Sequence, residues 1–276
     1  MRSIKRLENR LIVKILNRIH SLDGVLGFFE KIHLEKFLGI HDAIKVLQKG
    51  GEDIAEKGFS SACKELLETL DVRYYVTGNS DIPRGPVLYT CNHPYGLLEG
   101  IVFASTIGSI IEERKEGFKI IGNAALRAIK NLDTVLIPLR NLERGKNGER
   151  VREAFNYLEQ GGNIFMCPAG TISGPNFLEY PWQNGIKSLL SGAEYVVPMN
   201  VSGPDHSKNY NRIASHKLID RGRYLFFLDE LVNKAGKEVT LSLGEPIRAR
   251  ELRAIKDKSQ ITPYLRQKSL ALKVTQ

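Results

Sequence analysis

The sequence predicts an α/β fold, a mixed and largely parallel sheet flanked by helices, with an N-terminal amphipathic helical segment ahead of it. Two observations predict the sheet. From about residue 72 onward, short apolar, β-prone runs alternate with helical stretches. Several of those runs end in polar, turn-rich clusters, as strands do where they feed helices in open α/β sheets. A third observation separates the N-terminus. Ile4, Leu7, Leu11, Ile15 and Ile19 recur at three- and four-residue steps, with Lys5, Arg6, Arg10, Lys14 and Arg18 between them.

In order, the first helix breaks at Ser21-Leu22-Asp23-Gly24, and a second begins over Val25 to Leu38 with Phe28, Phe29, Ile32, Leu34 and Phe37. The pair reads either as a basic hairpin lying in an anionic membrane interface or as a stripe packed on the rest of the protein. We place residues 1–60 in this helical, membrane-associating segment and residues 61–276 in the domain that follows. His20, His33 and His41 show no spacing that converges on a metal. Ala43 to Leu70 is helical, with interruptions expected near Gly50-Gly51 and Gly58. Strands are expected at Val72–Thr77, at Val87–Tyr89, and at Phe118–Ile121. More follow at Thr134–Leu139, Asn163–Met166, Tyr195–Val201 and Val239–Leu243. Helices fall at Leu97–Ile111, Ala124–Ile129 and Gly148–Gln160, the last closed by Gly161-Gly162. Others end near Ser188–Ala193, span Leu225–Leu231, and close the chain from about Ile247.

Composition narrows the partners. The 276 residues carry a formal charge of +9, with 42% hydrophobic and 26% charged residues, ordinary for a globular chain that seeks an anionic partner. No nucleic-acid module is visible and aromatics do not interleave with basic residues, so a membrane surface or anionic substrate is preferred. Gly100 to Ile111, the uncharged run after the central turn, is far shorter than the ~20 residues of a membrane span. Met1 to Arg18 mixes charges every few residues and lacks the apolar run of a secretory signal. Cys63, Cys91 and Cys167 lack zinc-type spacing and are too few for a disulfide framework.

The chemistry is expected at Val87 to Gly100, VLYTCNHPYGLLEG. Pro94 favours an extended conformation at His93, which places the imidazole at a strand's C-terminal end. Glu99 follows where the next helix begins. A histidine with a carboxylate partner is a general base held in one tautomer, although a glutamate there also suits a helix N-terminus. Cys91 shares a strand face with His93, as a nucleophile or, more simply, a small buried hydrophobe. Asn92-His93, Arg140-Asn141, Pro168 to Ser173 and Ser202 to His206 would line one edge of a parallel sheet. His206 is expected to be solvated.

These blocks resemble the glycerolipid acyltransferase superfamily, typified by lysophosphatidic acid acyltransferases. Asn92-His93-Pro94-Tyr95-Gly96-Leu97-Leu98-Glu99-Gly100 is similar to the NHPxGxxDG form of its haemolysin-like branch, which includes ornithine-lipid acyltransferases. Ile137-Pro138-Leu139-Arg140-Asn141 resembles the second block. Met166-Cys167-Pro168-Ala169-Gly170-Thr171-Ile172-Ser173 resembles the PAG-containing third block, and Val196-Val197-Pro198-Met199-Asn200-Val201 the fourth. Trp182-Gln183-Asn184-Gly185 is again similar to that branch. The likeness runs from about Asp71 to Ile247. The chain departs from it at Glu99, for aspartate after one fewer residue. Ala169 stands for the usual third-block glutamate, Thr171 for the branch's acid and Ile172 for an arginine.

The resemblance implies an acyltransferase that moves a fatty acyl group from acyl-CoA or acyl-ACP (acyl carrier protein) to the hydroxyl of a lysophospholipid or lyso-amino-acid lipid. His93 would be the general base and Glu99 its partner. Asn92, Arg140, Asn141, Arg144, Pro168, Ala169, Gly170, Thr171 and Ser173 would bind substrate, with Lys146 a further candidate. The amides of Gly170 and Thr171 would face the oxyanion. It implies no metal or bound cofactor, and a peripheral enzyme on the cytoplasmic face of the membrane. A glycerol 3-phosphate or amine acceptor, or a non-catalytic lipid-binding relative, are the alternatives.

Overall fold

Strand β2, Val87–Cys91, is buried along its whole length, and its alternate side chains point into two different cores. A central strand covered on both faces has no polar side, which is why its sequence reads as one apolar run. The computed structural model behind this description covers residues 40–139, 147–208, 210–211 and 227–274. The expected N-terminal hairpin, and Arg140, Asn141, Arg144 and Lys146, lie outside the described residues.

Among the described residues the sheet has eight strands in the order β1-β7-β6-β2-β5-β3-β4, with the short β8 also on β6. They are β1 (Arg73–Gly78), β2, β3 (Phe118–Asn123), β4 (Leu136–Leu139), β5 (Asn163–Met166), β6 (Tyr195–Ser202), β7 (Glu238–Leu243) and β8 (Ile247–Arg248). β4, β3, β5, β2 and β6 run parallel. β7 and β8 are antiparallel to β6, and β1 runs parallel to β7 at the outer edge. The C-terminal ends of β2, β4, β5 and β6 therefore share one edge, which places Asn92-His93, Pro168 to Ser173 and Ser202 to His206 there as expected.

Helices cover both faces. On one lie α1 (Ile40–Lys57), α2 (Phe59–Thr69) and the segment α3 (Leu98–Phe103), a π turn (Ala104–Gly108) and α4 (Ser109–Glu113). Leu47, Leu67, Val102, Phe103 and Ile107 pack there against Val87, Tyr89, Phe165 and Met199. On the other face lie α5 (Gly148–Glu159), a 3-10 turn at Asn184–Leu189, α7 (Ala249–Ala254) and α8 (Ile261–Leu270). Their Leu158, Ile186, Leu252 and Leu265 cover Leu88, Ile164 and Val196. Helix α6 (Phe227–Asn233) precedes β7.

Several boundaries differ from the sequence pattern for tertiary reasons. α1 runs unbroken through Gly50-Gly51 and stops at Gly58. A Cβ on Gly51 would lie 2.8 Å from the Lys130 carbonyl, so that glycine serves a close approach rather than a break. The helices expected at Ala124–Ile129 and before Ala193 are 3-10 turns, and the closing helix is β8 followed by α7 and α8. The π turn is lined by hydroxyls, with Ser105 and Thr106 donating to the Val102 carbonyl. Such back-bonding loosens the regular ladder.

Gly78 ends β1 at φ +87, and a Cβ there would fall 2.1 Å from the Leu243 carbonyl oxygen. Gly78→Ala should lower stability by about 1–3 kcal/mol from strained backbone, read as a reduced urea midpoint. An unchanged midpoint would show that this edge rearranges freely.

Candidate active site

The site is assembled at the C-terminal end of β2. Asn92 leaves the strand and brackets the Val201 backbone, its Nδ2–H donating to the carbonyl (2.9 Å) and its Oδ1 accepting the amide (2.7 Å). This side chain thus adds a rung between β2 and β6 and braces the turn. Gly96, at φ +87, lets the chain reverse within four residues of His93 and enter α3.

That reversal brings Glu99 beneath His93. Glu99 is wholly buried, His93 is 18% exposed, and Nδ1 lies 3.6 Å from Glu99 Oε2. At that separation the pair is an electrostatic contact just beyond hydrogen-bond length, a common state before substrate closes a site. Neither atom has another hydrogen-bond partner among the described residues. Glu99 Oε1 accepts the Tyr95 amide at 2.5 Å, which fixes the carboxylate. With Nδ1 buried against Glu99, Nε2 is the ring nitrogen turned away from that carboxylate. Burial of the imidazole opposes its charged form, but the contact with Glu99 and the charges of Glu99 and Glu179 outweigh it. The pKa of His93 is raised above the usual histidine value.

The loop after β5 meets this turn. Ser173 donates its amide to the His93 carbonyl (2.7 Å). Pro168 accepts the Gln183 amide through its carbonyl (2.8 Å). Ala169, Ile172 and Ser173 are buried, Ala169 beside Trp182 and Ile172 in the main core. The Ile172 side chain is apolar and packed in the core, so it offers no charge to a substrate phosphate. The Gly170 amide closes a turn on the Cys167 carbonyl (3.0 Å), so it is engaged within the loop itself. Cys91 is buried and its thiol pKa is raised by that burial, so it is a packing residue rather than a thiolate.

Two features escaped the sequence reading. Glu179 is buried and reaches the turn from the loop after β5, accepting the His93 amide (3.3 Å), Ser173 Oγ–H (2.5 Å) and Trp182 Nε1–H (3.0 Å). A lone acid among Phe177, Tyr180 and Trp182 was the available signal. His206 is buried rather than solvated. Its Nδ1 lies 2.9 Å from Glu230 Oε2, which Lys234 also reaches at 3.0 Å. The i, i+4 spacing of Glu230 and Lys234 was legible, but its burial was not. Lys234 Nζ sits 4.3 Å from the Tyr95 ring centre, so this cluster backs the turn that carries His93.

A His–carboxylate pair thus sits at the C-terminal edge of the parallel strands, beside the loop after β5, in a chain whose relatives are acyltransferases. A family model described as Acyltransferase matches residues 17–276, and the chain belongs to that family, within the glycerolipid acyltransferase superfamily. It is 26% identical over 220 residues to a lyso-glycine lipid O-acyltransferase of Phocaeicola vulgatus, across 75% of this chain and 74% of that one. It shares its fold with the crystal structure of the 1-acyl-sn-glycerophosphate (LPA) acyltransferase PlsC from Thermotoga maritima. There the TM-score is 0.52 and the identity 16%, over 100% of both chains. Among the described residues no helix is long and apolar enough to cross a membrane.

Proposed function

We propose that this enzyme transfers a fatty acyl group from acyl-CoA or acyl-ACP to the hydroxyl of a lyso-amino-acid lipid, working as a peripheral enzyme on the cytoplasmic face of an anionic membrane. The observation that carries the chemistry is the wholly buried Glu99 facing Nδ1 of His93. Neutral His93 takes the acceptor's proton at Nε2 as the oxygen attacks the thioester carbonyl. Glu99 steadies the imidazolium that forms. The Thr171 amide stabilises the oxyanion, and collapse of the tetrahedral intermediate expels the thiolate, which recovers the proton from His93. The donor is a co-substrate, and we assign no bound cofactor. Arg140, Asn141 and Arg144 remain our candidates for an anionic substrate group.

Two points favour an amino-acid lipid over a phosphate-bearing acceptor. Ile172, where the superfamily usually places an arginine, is buried in the core, and the relative named for lyso-glycine lipid acylation matches three quarters of the chain. The test is thiol release from long-chain acyl-CoA and acyl-ACP on vesicles holding lyso-glycine lipid, lyso-ornithine lipid, lysophosphatidic acid or glycerol 3-phosphate. The expected result is release that depends on a lyso-amino-acid lipid. Release confined to the phosphate acceptors would overturn this acceptor class.

A further inference from the structure

His93 is gripped through both of its backbone polar groups. Its carbonyl accepts the Ser173 amide at 2.7 Å, and its amide faces Glu179 Oε2 at 3.3 Å. The same Glu179 oxygen accepts Ser173 Oγ–H, while the other accepts Trp182 Nε1–H. The backbone carbonyls of Glu179 and Tyr180 accept from the guanidinium of Arg266 on α8 (2.6 and 3.3 Å), so the loop is held from behind. Glu179 is 6% exposed, too enclosed to meet substrate. A buried carboxylate is tolerated only where donors satisfy it, and three donors converge here.

We infer that Glu179 is a positioning residue for the reaction, fixing the His93 main chain and setting the electrostatic environment of its imidazole. The inference rests on the reading of His93 as general base. It also accounts for the alanine at Ala169: the third-block loop keeps an acid, delivered from ten residues further along and turned onto the catalytic turn instead of the substrate. The charged and titratable groups around His93 are Glu99 from α3, Glu179 and Cys167 from the β5 side, and Cys91 from β2. Beyond Tyr95 lie His206, Glu230 and Lys234. Glu99 and Glu179 both favour the imidazolium, so removing one carboxylate's charge lowers the pKa of His93.

The experiment uses the full chain with labelled histidine, following the His93 ring by NMR titration, identified by the signal missing from His93→Ala. It is paired with kcat and KM for the best acceptor. Glu179→Gln should move the His93 midpoint to lower pH and cut kcat about 10-fold or more at unchanged KM, as small misplacements at a reacting group do. Glu179→Asp keeps the charge and withdraws it by one methylene. It should leave the midpoint near the wild-type value and cost kcat several-fold. Should Glu179→Gln fail to fold, the kcat–KM split of Glu179→Asp carries the test. An unmoved His93 midpoint in folded Glu179→Gln, or wild-type kcat in Glu179→Asp, overturns the inference. If wild type transfers no acyl group to any acceptor, the proposed reaction fails instead, and the titration still reads the electrostatic claim alone.

Discussion

Replacing His93 with alanine is expected to lower kcat by about 10²–10⁴-fold, the range general-base catalysis supplies, while vesicle binding is retained. The imidazole is mostly enclosed, so the fold of the variant is checked by its urea midpoint alongside the kinetics. The pH dependence follows from the same geometry. A general base works only when neutral, so kcat/KM climbs as pH rises through the His93 pKa. Burial works against the charged ring but Glu99 and Glu179 together prevail, so that pKa is raised and the midpoint of the rising limb should lie above the ordinary 6.5. A His93→Ala protein within about threefold of wild type, well under that range, would remove His93 from the chemistry. A rising limb centred below 6.5 would show instead that Glu99 does not hold the imidazolium.

Lys234→Met is expected to lower folding stability by about 3–5 kcal/mol, the cost of stranding one member of a buried ion pair. Lys234 and Glu230 are both wholly buried at 3.0 Å, and the ammonium also donates to the Asp205 carbonyl at 3.1 Å. Burial alone would raise the Glu230 pKa. The bonds from His206 and the Ser207 amide, with the charge of Lys234, outweigh it and hold the carboxyl below its usual range. That part of the stability is present above the unfolded carboxylate pKa and is lost as pH falls through the lowered folded value. The double variant Lys234→Met/Glu230→Leu removes both charges and should recover part of the loss in urea melts near pH 7. Additive losses would mean that the two residues are not coupled. Because Lys234 lies over the Tyr95 ring and Tyr95 holds Glu99 through its amide, the single variant should also reduce kcat.

What could be read from the sequence was local. The run Val87–Cys91 with Pro94 and Gly96 encodes a strand, an extended residue and a sharp turn within ten positions, and Glu99 lies in the following turn of helix. The parallel strands were legible because each is an apolar run closed by turn residues. Direction was not legible for β7, because its apolar run suits a parallel or an antiparallel neighbour alike, and a strand as short as β8 has no periodicity to detect. Gly50-Gly51 looks like a break because helix propensity is local, whereas Gly51 answers to the Lys130 backbone in a turn much further along the chain. Glu179 and His206 were missed for a related reason. Their meaning comes from partners brought by folding, such as Glu230 twenty-four residues beyond His206.

The outer edge of the sheet sets an order on biosynthesis. Thr77 of β1 meets Ser242 of β7, 165 positions further along the chain. The ribosome therefore releases the general-base turn long before the strand that closes the sheet. Asn92 has nothing to brace until Val201 emerges, and Tyr95 lacks its cation until Lys234 does. Pairings of such wide separation form late. A growing chain of this enzyme can thus carry its histidine and carboxylate early, yet it completes their setting only once Lys234 has been made.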